Sequence, residues 1–134
     1  MTVANAAAAA REAFEATAAR LSAARAPAAR RLSDEITAAM QTLAMAGGRF
    51  EVALAPCEPA ATGLELVEFR VSANPGQPLR SLAKVASGGE LSRIGLAIQV
   101  MASRDTSVPT LVFDEVDVGI GGRVAEIVGK LLAR

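Results

Sequence analysis

Ser87-Gly88-Gly89-Glu90-Leu91-Ser92-Arg93 is the stretch of this sequence that decides the fold. A serine followed three residues later by glutamate is the pattern of a helix N-terminal capping box. The two glycines between them disfavour a helix by about 1 kcal/mol each relative to alanine, and a plain cap does not need them. They are expected where a ligand must approach the first helical turn, whose N–H groups and positive dipole end suit a phosphate. A purely structural helix cap is the alternative.

A second informative stretch is Leu111-Val112-Phe113-Asp114-Glu115. Its continuous apolar run is typical of a strand buried on both faces of a parallel sheet. Ligands of open α/β sheets bind at the carboxyl ends of such strands, where Asp114 and Glu115 stand. We expect Asp114 to hold Mg²⁺ through water and Glu115 to orient or deprotonate an attacking water. A strand that simply precedes an acidic loop is the alternative.

The hydrophobic periodicity predicts the elements around these two stretches. Helical spacing predicts helices over residues 88–103 and 123–133. Alternation from residue 50 and a run over 64–71 predict an antiparallel strand pair, with a loop over 56–63 and a bulge between Leu66 and Val67. The residues expected to face the core are Phe50, Val52 and Leu54 on the strand, Leu91, Ile94, Ile98 and Met101 on the first helix, and Val124, Ile127, Val128 and Leu131 on the last.

Residues 1–46 predict a long helix because Ala, Arg, Glu and Leu dominate them. Pro27 either kinks this helix or begins a second one, and Gly47-Gly48 is expected to end it. The pattern suits one arm of an antiparallel coiled coil, or else an amphipathic helix of its own domain. The larger apolar residues form a narrow stripe of Phe14, Leu21, Leu32, Ile36, Met40 and Leu43.

Composition excludes several classes of function. The 134 residues carry 14 basic and 14 acidic side chains, which argues against a strongly basic nucleic-acid binder. Aromatic residues are 3% and histidine is absent, which excludes base-stacking platforms and histidine-based catalysis or metal binding within this chain. Cys57 is the single cysteine and is assigned no chemistry. No apolar run is long enough to cross a bilayer and no signal peptide is evident, so a cytoplasmic location is expected.

Taken together, the two stretches resemble motifs of ABC-type ATPases. Residues 87–90 resemble the ABC signature, and residues 111–115 resemble Walker B. Residues 71–76, 82–86 and 113–123 are similar to the RecN family of bacterial SMC-like ATPases. The resemblance covers about residues 30–134, and the Ala-rich start matches only as coiled coil. Gly121 stands where most SMC relatives have an aspartate, a departure that favours RecN over other SMC relatives.

This resemblance implies an α/β fold: a partial ABC-ATPase (SMC-like) head lobe over residues 47–134, with a helical coiled-coil arm over residues 1–46. ATP and Mg²⁺ would be the cofactors. The signature residues Ser87, Gly88, Gly89 and Glu90 would act in trans on ATP bound to a second head, with Ser87, Gly88 and Gly89 at the γ-phosphate. Asp114 and Glu115 would serve the nucleotide of their own head.

The implied role is repair of DNA double-strand breaks by a homodimer of heads that engages DNA, in the cytoplasm at the nucleoid. The Walker A loop and the switch histidine are missing from this sequence, so an N-terminal Walker A part of the same protein is an expected partner. This segment alone is expected to be inactive.

Two other functions remain open. One is another SMC-like or ABC ATPase of chromosome organisation, and the other is a non-catalytic helical interaction module. Lys84 and Arg93 flank the signature and would meet phosphate or DNA, or else form solvated or structural contacts. Asp117 either supports the loop after Walker B or caps a local turn.

Overall fold

The computed structural model describes residues 2–85, 88–103, 109–110, 112 and 120–133. Within them a long helix leads into a three-stranded antiparallel sheet of order β1-β2-β3, and two further helices follow. In chain order the elements are α1 (Val3–Thr42), β1 (Arg49–Ala60), β2 (Gly63–Ser72), β3 (Arg80–Ser81), a 3₁₀ turn (Leu82–Lys84), α2 (Gly88–Ser103) and α3 (Gly122–Leu132).

Helix α1 is one continuous helix of 40 residues that passes through Pro27. At 1.5 Å per residue it extends about 60 Å. Thr2 caps its start, because the Thr2 hydroxyl accepts a hydrogen bond from the Asn5 N–H at 3.3 Å. Pro27 is exposed, so the carbonyl that loses its helical donor there is on the solvent side of the helix. Of the two interpretations of Pro27, the structure excludes the start of a second helix.

The predicted end of this helix is wrong by four residues. Helix α1 ends at Thr42 rather than at residue 46, and Ala44 takes the left-handed conformation at φ 61°. The Met45 N–H donates to the Met40 carbonyl at 3.2 Å, so the chain turns back before the two glycines. Gly47 instead permits close packing: its φ is 80°, and a Cβ there would lie 2.3 Å from Pro75 Cγ.

Polar side chains of α1 bond the open edge of β1. The Thr37 hydroxyl accepts from the Phe50 N–H at 2.9 Å and donates to the Phe50 carbonyl at 3.2 Å. The Ser33 hydroxyl accepts from the Val52 N–H at 2.9 Å. The Gln41 amide donates to the Gly48 carbonyl at 2.9 Å, and its oxygen accepts from the Gly47 N–H at 2.8 Å. We call Ser33, Thr37 and Gln41 the polar ladder; their spacing of four residues places them on one helix face.

The core lies where α1, the sheet, α2 and α3 meet. Its buried members are Ile36, Met40, Leu43, Met45, Phe50, Val71, Ile94, Leu96, Ala97, Val100 and Val128. The C-terminal half of the predicted α1 stripe is therefore confirmed, whereas Leu21 is 38% exposed. The predicted core face of α3 is confirmed, since Val128 is buried and its three companions pack against the core.

Helix α2 has the predicted bounds, and three of its four predicted core residues are confirmed: Ile94 is buried, and Ile98 and Met101 pack against the core. Leu91, expected to face the core, is 42% exposed, while Leu96, Ala97 and Val100 are buried beside Ile94. Helix α2 packs against α1, and Ala97 lies fully buried in the helix core. Alanine permits close approach of helices, so a prediction made from the largest apolar residues included Leu91 wrongly and missed Ala97.

The hairpin of β1 and β2 is longer than predicted. Strand β1 continues to Ala60 through the region expected to be a loop, and the register shift lies between Pro56 and Ala60 rather than between Leu66 and Val67. Prolines are tolerated there because β1 is an edge strand. Leu66 and Val67 are 65% and 44% exposed. The break in the alternating apolar pattern at these two residues therefore does not mark a bulge.

The end of the hairpin is fastened to α1. The Glu65 carboxylate accepts a hydrogen bond from the Ser22 hydroxyl and pairs with the Arg25 guanidinium at 3.2 Å. The Glu65 and Arg25 side chains are only 16% and 24% exposed. At Gly63, with φ 108°, an added Cβ would lie 2.8 Å from the Arg25 guanidinium. We call Ser22, Arg25 and Glu65 the clasp, because they join the arm to the hairpin far from the core.

The predicted strand over residues 110–113 and its acidic end fall mostly outside the described residues. Thr110 and Val112 are described, belong to no strand and are exposed. Strand β3 and the 3₁₀ turn were not predicted, because elements of two and three residues carry no periodicity.

Replacing Thr37 by valine should destabilise the chain by about 1–3 kcal/mol, because the Phe50 N–H loses its partner in a partly buried place. Thr17→Val is the control, since the Thr17 hydroxyl bonds only its own helix in an exposed position. Urea denaturation measures both. Equal midpoints for the two variants would show that the polar ladder contributes nothing to stability.

Replacing Glu65 by alanine should loosen the hairpin from α1, because the half-buried Arg25 then loses its ion partner. Amide hydrogen exchange over residues 58–66 should become about tenfold faster or more, while exchange in the core stays slow. Glu58→Ala is the matched control, because Glu58 is exposed on the same hairpin. Unchanged protection in Glu65→Ala would contradict a role for the clasp.

Candidate functional site at the start of helix α2

The candidate site begins at the first turn of α2. Gly88 is exposed there, and Gly89 and Glu90 are half-buried. The other predicted site residues, Ser87, Asp114 and Glu115, lie outside the described residues, as does Asp117. The structure thus places Gly88, Gly89 and Glu90 of the predicted signature together. The capping box of Ser87 and the carboxylate pair Asp114 and Glu115 stay predictions.

The two glycines are not required by contacts within the described chain. A Cβ added at Gly88 would meet nothing within 4 Å. A Cβ at Gly89 would meet only the Arg93 Nη1 at 3.3 Å, at the far end of a flexible side chain. Since internal packing does not explain them, the glycines are consistent with a backbone kept open to an external group.

Arg93 lies over this first turn. Its Nε is buried and has no hydrogen-bond partner among the described residues. The hydroxyl of the preceding residue, Ser92, donates to the Gly88 carbonyl at 2.9 Å, so that side chain is turned back onto the helix. A buried N–H without an acceptor is costly, so Arg93 is suited to receive one.

A polar cleft of 230 Å³ adjoins the same turn. Its charged members are Arg80 on β3, Lys84 at the end of the 3₁₀ turn and Glu90 on α2. The remaining lining residues are Val71, Ser72, Ala73, Asn74, Gln77, Pro78 and Val85. Sequence reasoning marked Lys84 and missed Arg80, although the spacing of four residues between two cations before the signature was a usable signal.

The two cations of the cleft are not neutralised within the described part of the chain, in contrast to some of its other cations. Arg25 and Arg70 each pair with a glutamate, and the Glu68 hydrogen bond raises the pKa of Arg70 above its usual value. Arg80 and Lys84 form no ion pair with any described residue. The cleft therefore carries two uncompensated positive charges and one carboxylate, and its net charge is positive.

Other sites are not evident in the described part of the chain. No group of three or more His, Cys, Asp or Glu residues there is placed to hold a metal ion. Cys57 is exposed on β1 and makes no disulfide. None of the described helices combines the length and apolar character that crossing a membrane requires.

Comparison with curated proteins finds close relatives. The DNA repair protein RecN of Haemophilus influenzae is 49% identical over 123 residues, which are 90% of this chain and 22% of that protein. RecN of Xylella fastidiosa is 51% identical over 116 residues, and RecN of Deinococcus radiodurans 50% over 115. The chain spans about a fifth of the length of these relatives. No family model matches it.

Comparison with solved structures identifies the fold. The Smc head bound to the C-winged helix domain of ScpA aligns with a TM-score of 0.55 at 19% identity, over 78% of this chain and 32% of that one. The Smc head with an extended coiled coil from Pyrococcus furiosus aligns with a TM-score of 0.54 at 20% identity, over 77% and 26%. The predicted fold class, a partial SMC-like head lobe with a helical arm, is confirmed.

Proposed function

We propose, from the premise that this chain belongs to the RecN family, that it is the signature-bearing segment of an ATPase head in DNA double-strand break repair. The observation that carries the proposal is the identity of about 50% to RecN proteins over most of the chain. The identity of 19–20% to the Smc heads favours RecN over a chromosome-organising relative. The activity belongs to the complete protein, of which this chain matches about a fifth.

In the proposed mechanism the start of α2 receives the γ-phosphate of ATP held by a second head. Ser87, Gly88 and Gly89 would offer backbone N–H groups and a hydroxyl at the positive end of the helix dipole. The open space at Gly88 and Gly89 supports this role. The nucleotide would then join two heads, and its hydrolysis would release them.

Asp114 and Glu115 are proposed to serve the nucleotide of their own head. Mg²⁺, when bound, would neutralise phosphate charge, with Asp114 as its ligand through water. Glu115 would take a proton from the attacking water or orient it. Both roles rest on the sequence and the family alone.

The proposed arrangement requires further parts. A Walker A segment of the same protein would hold ATP, the two heads would form a homodimer, and DNA would be engaged by the whole dimer. Residues 1–46, which contain helix α1, would be one arm of a coiled coil, and residues 47–134 the head. The proposed place of action is the cytoplasm, at the nucleoid.

In a full-length RecN-family protein carrying this segment, Gly89→Asp should abolish ATP-driven head dimerisation. A carboxylate would stand where the γ-phosphate must dock, and like charges at close range repel. ATP binding to the monomer should persist. Gly129→Asp is the matched control, because Gly129 also lies within a helix with open space around it. Light scattering after size exclusion measures the dimer. Normal dimerisation of Gly89→Asp would contradict the proposed contact between Gly89 and the γ-phosphate.

Glu115→Gln in the same protein should lower ATP hydrolysis by roughly 10²-fold or more, a typical contribution of a general base. The ATP-bound dimer should accumulate, because the metal ligand is retained. Asp114→Ala should instead weaken Mg²⁺–ATP binding and reduce the dimer. Turnover and dimer lifetime are measured together. Normal turnover in Glu115→Gln, or a dimer lost as in Asp114→Ala, would contradict these assignments.

A further inference from the structure

We infer that the cleft lined by Arg80, Lys84 and Glu90 is a second binding contact for the nucleotide. Its cations would bind phosphate oxygens that neighbour the phosphate at the start of α2. The inference rests on the proposed function, which it extends from the signature itself to residues that precede it on β3 and the 3₁₀ turn. It gives the head dimer a charged contact outside the signature.

The first argument is charge. Two cations four residues apart line one cleft of 230 Å³, and neither has an ion partner among the described residues. Arg25, Arg70 and Lys130, by contrast, each neutralise a glutamate. Unpaired cations in a concave place focus a positive potential, which favours an anion there.

The second argument is position. Glu90 belongs both to the cleft and to the first turn of α2, so the cleft opens beside that helix start. An anion at the helix start would bring its neighbouring oxygens toward Lys84 and Arg80. The helix dipole then adds to the field of the two side chains.

The third argument is the buried Nε of Arg93. It lies over the same turn and has no acceptor within the described part of the chain, while the guanidinium Nη1 is next to Gly89. A ligand oxygen at this turn would satisfy it. The helix start, the cleft and Arg93 are separate observations that converge on one anionic ligand.

A nucleotide suits the cleft better than a nucleic-acid backbone. Binding along a duplex is driven by several phosphate contacts over an extended basic surface. The chain has no net charge. Arg80 and Lys84, which have no ion partner among the described residues, are confined to one small cleft. That size suits part of a polyphosphate.

The test uses a full-length RecN-family protein carrying this segment, with both Arg80→Met and Lys84→Met. The dissociation constant of the ATP-bound dimer should rise about tenfold, and its salt dependence should become shallower. ATP affinity of the monomer should be unchanged. The control carries Arg20→Met and Lys130→Met, exposed cations on α1 and α3. Lys84→Arg, which keeps the charge, should dimerise nearly normally.

The outcomes separate this inference from the function it rests on. If Gly89→Asp blocks dimerisation while the double variant dimerises like its control, the cleft is not a nucleotide contact and the proposed function stands. If Gly89→Asp also dimerises normally, both fail. DNA affinity without nucleotide is measured in parallel: a loss there in the double variant, with dimerisation unchanged, would assign the cations to DNA and overturn the inference.

Discussion

The hydrogen bonds between the polar ladder and the edge of β1 are the contacts on which the rest of the fold depends. A sheet edge presents N–H and C=O groups that must find partners when they are covered. Ser33 and Thr37 supply those partners from side chains, and Gln41 does so at the turn before the strand. A helix thereby takes the place of a neighbouring strand, and the arm and the head become one packed unit.

The core is built on the neighbouring face of the same helix. Ile36, Met40 and Leu43 are fully buried against the sheet and α2, so one segment of α1 serves both the hydrogen bonds and the apolar packing. Phe50 and Phe69 continue this packing on the sheet, with ring centroids 5.5 Å apart. Because α2 is fixed by Ile94, Leu96 and Ala97, its first turn is held in place while remaining open.

A head of this kind must combine a rigid frame with an accessible helix start. The glycines contribute access because no described side chain needs their space, and the cleft contributes charge because its cations are unpaired. The clasp adds a second attachment of the arm, remote from the core. Strand β2 of the hairpin pairs with β3, the strand that carries Arg80.

The sequence by itself determined the bounds of α2 and α3 to within a residue and the likeness to RecN proteins, because helical periodicity and short motifs are local properties. It did not determine where α1 ends, the exposure of Leu91 and burial of Ala97 on α2, or how far β1 extends. The last two depend on distant partners, because α2 packs against α1 and β1 pairs with β2 as far as Ala60. Tertiary contacts decided them, since a side chain's partner across the fold leaves no periodic trace in the chain.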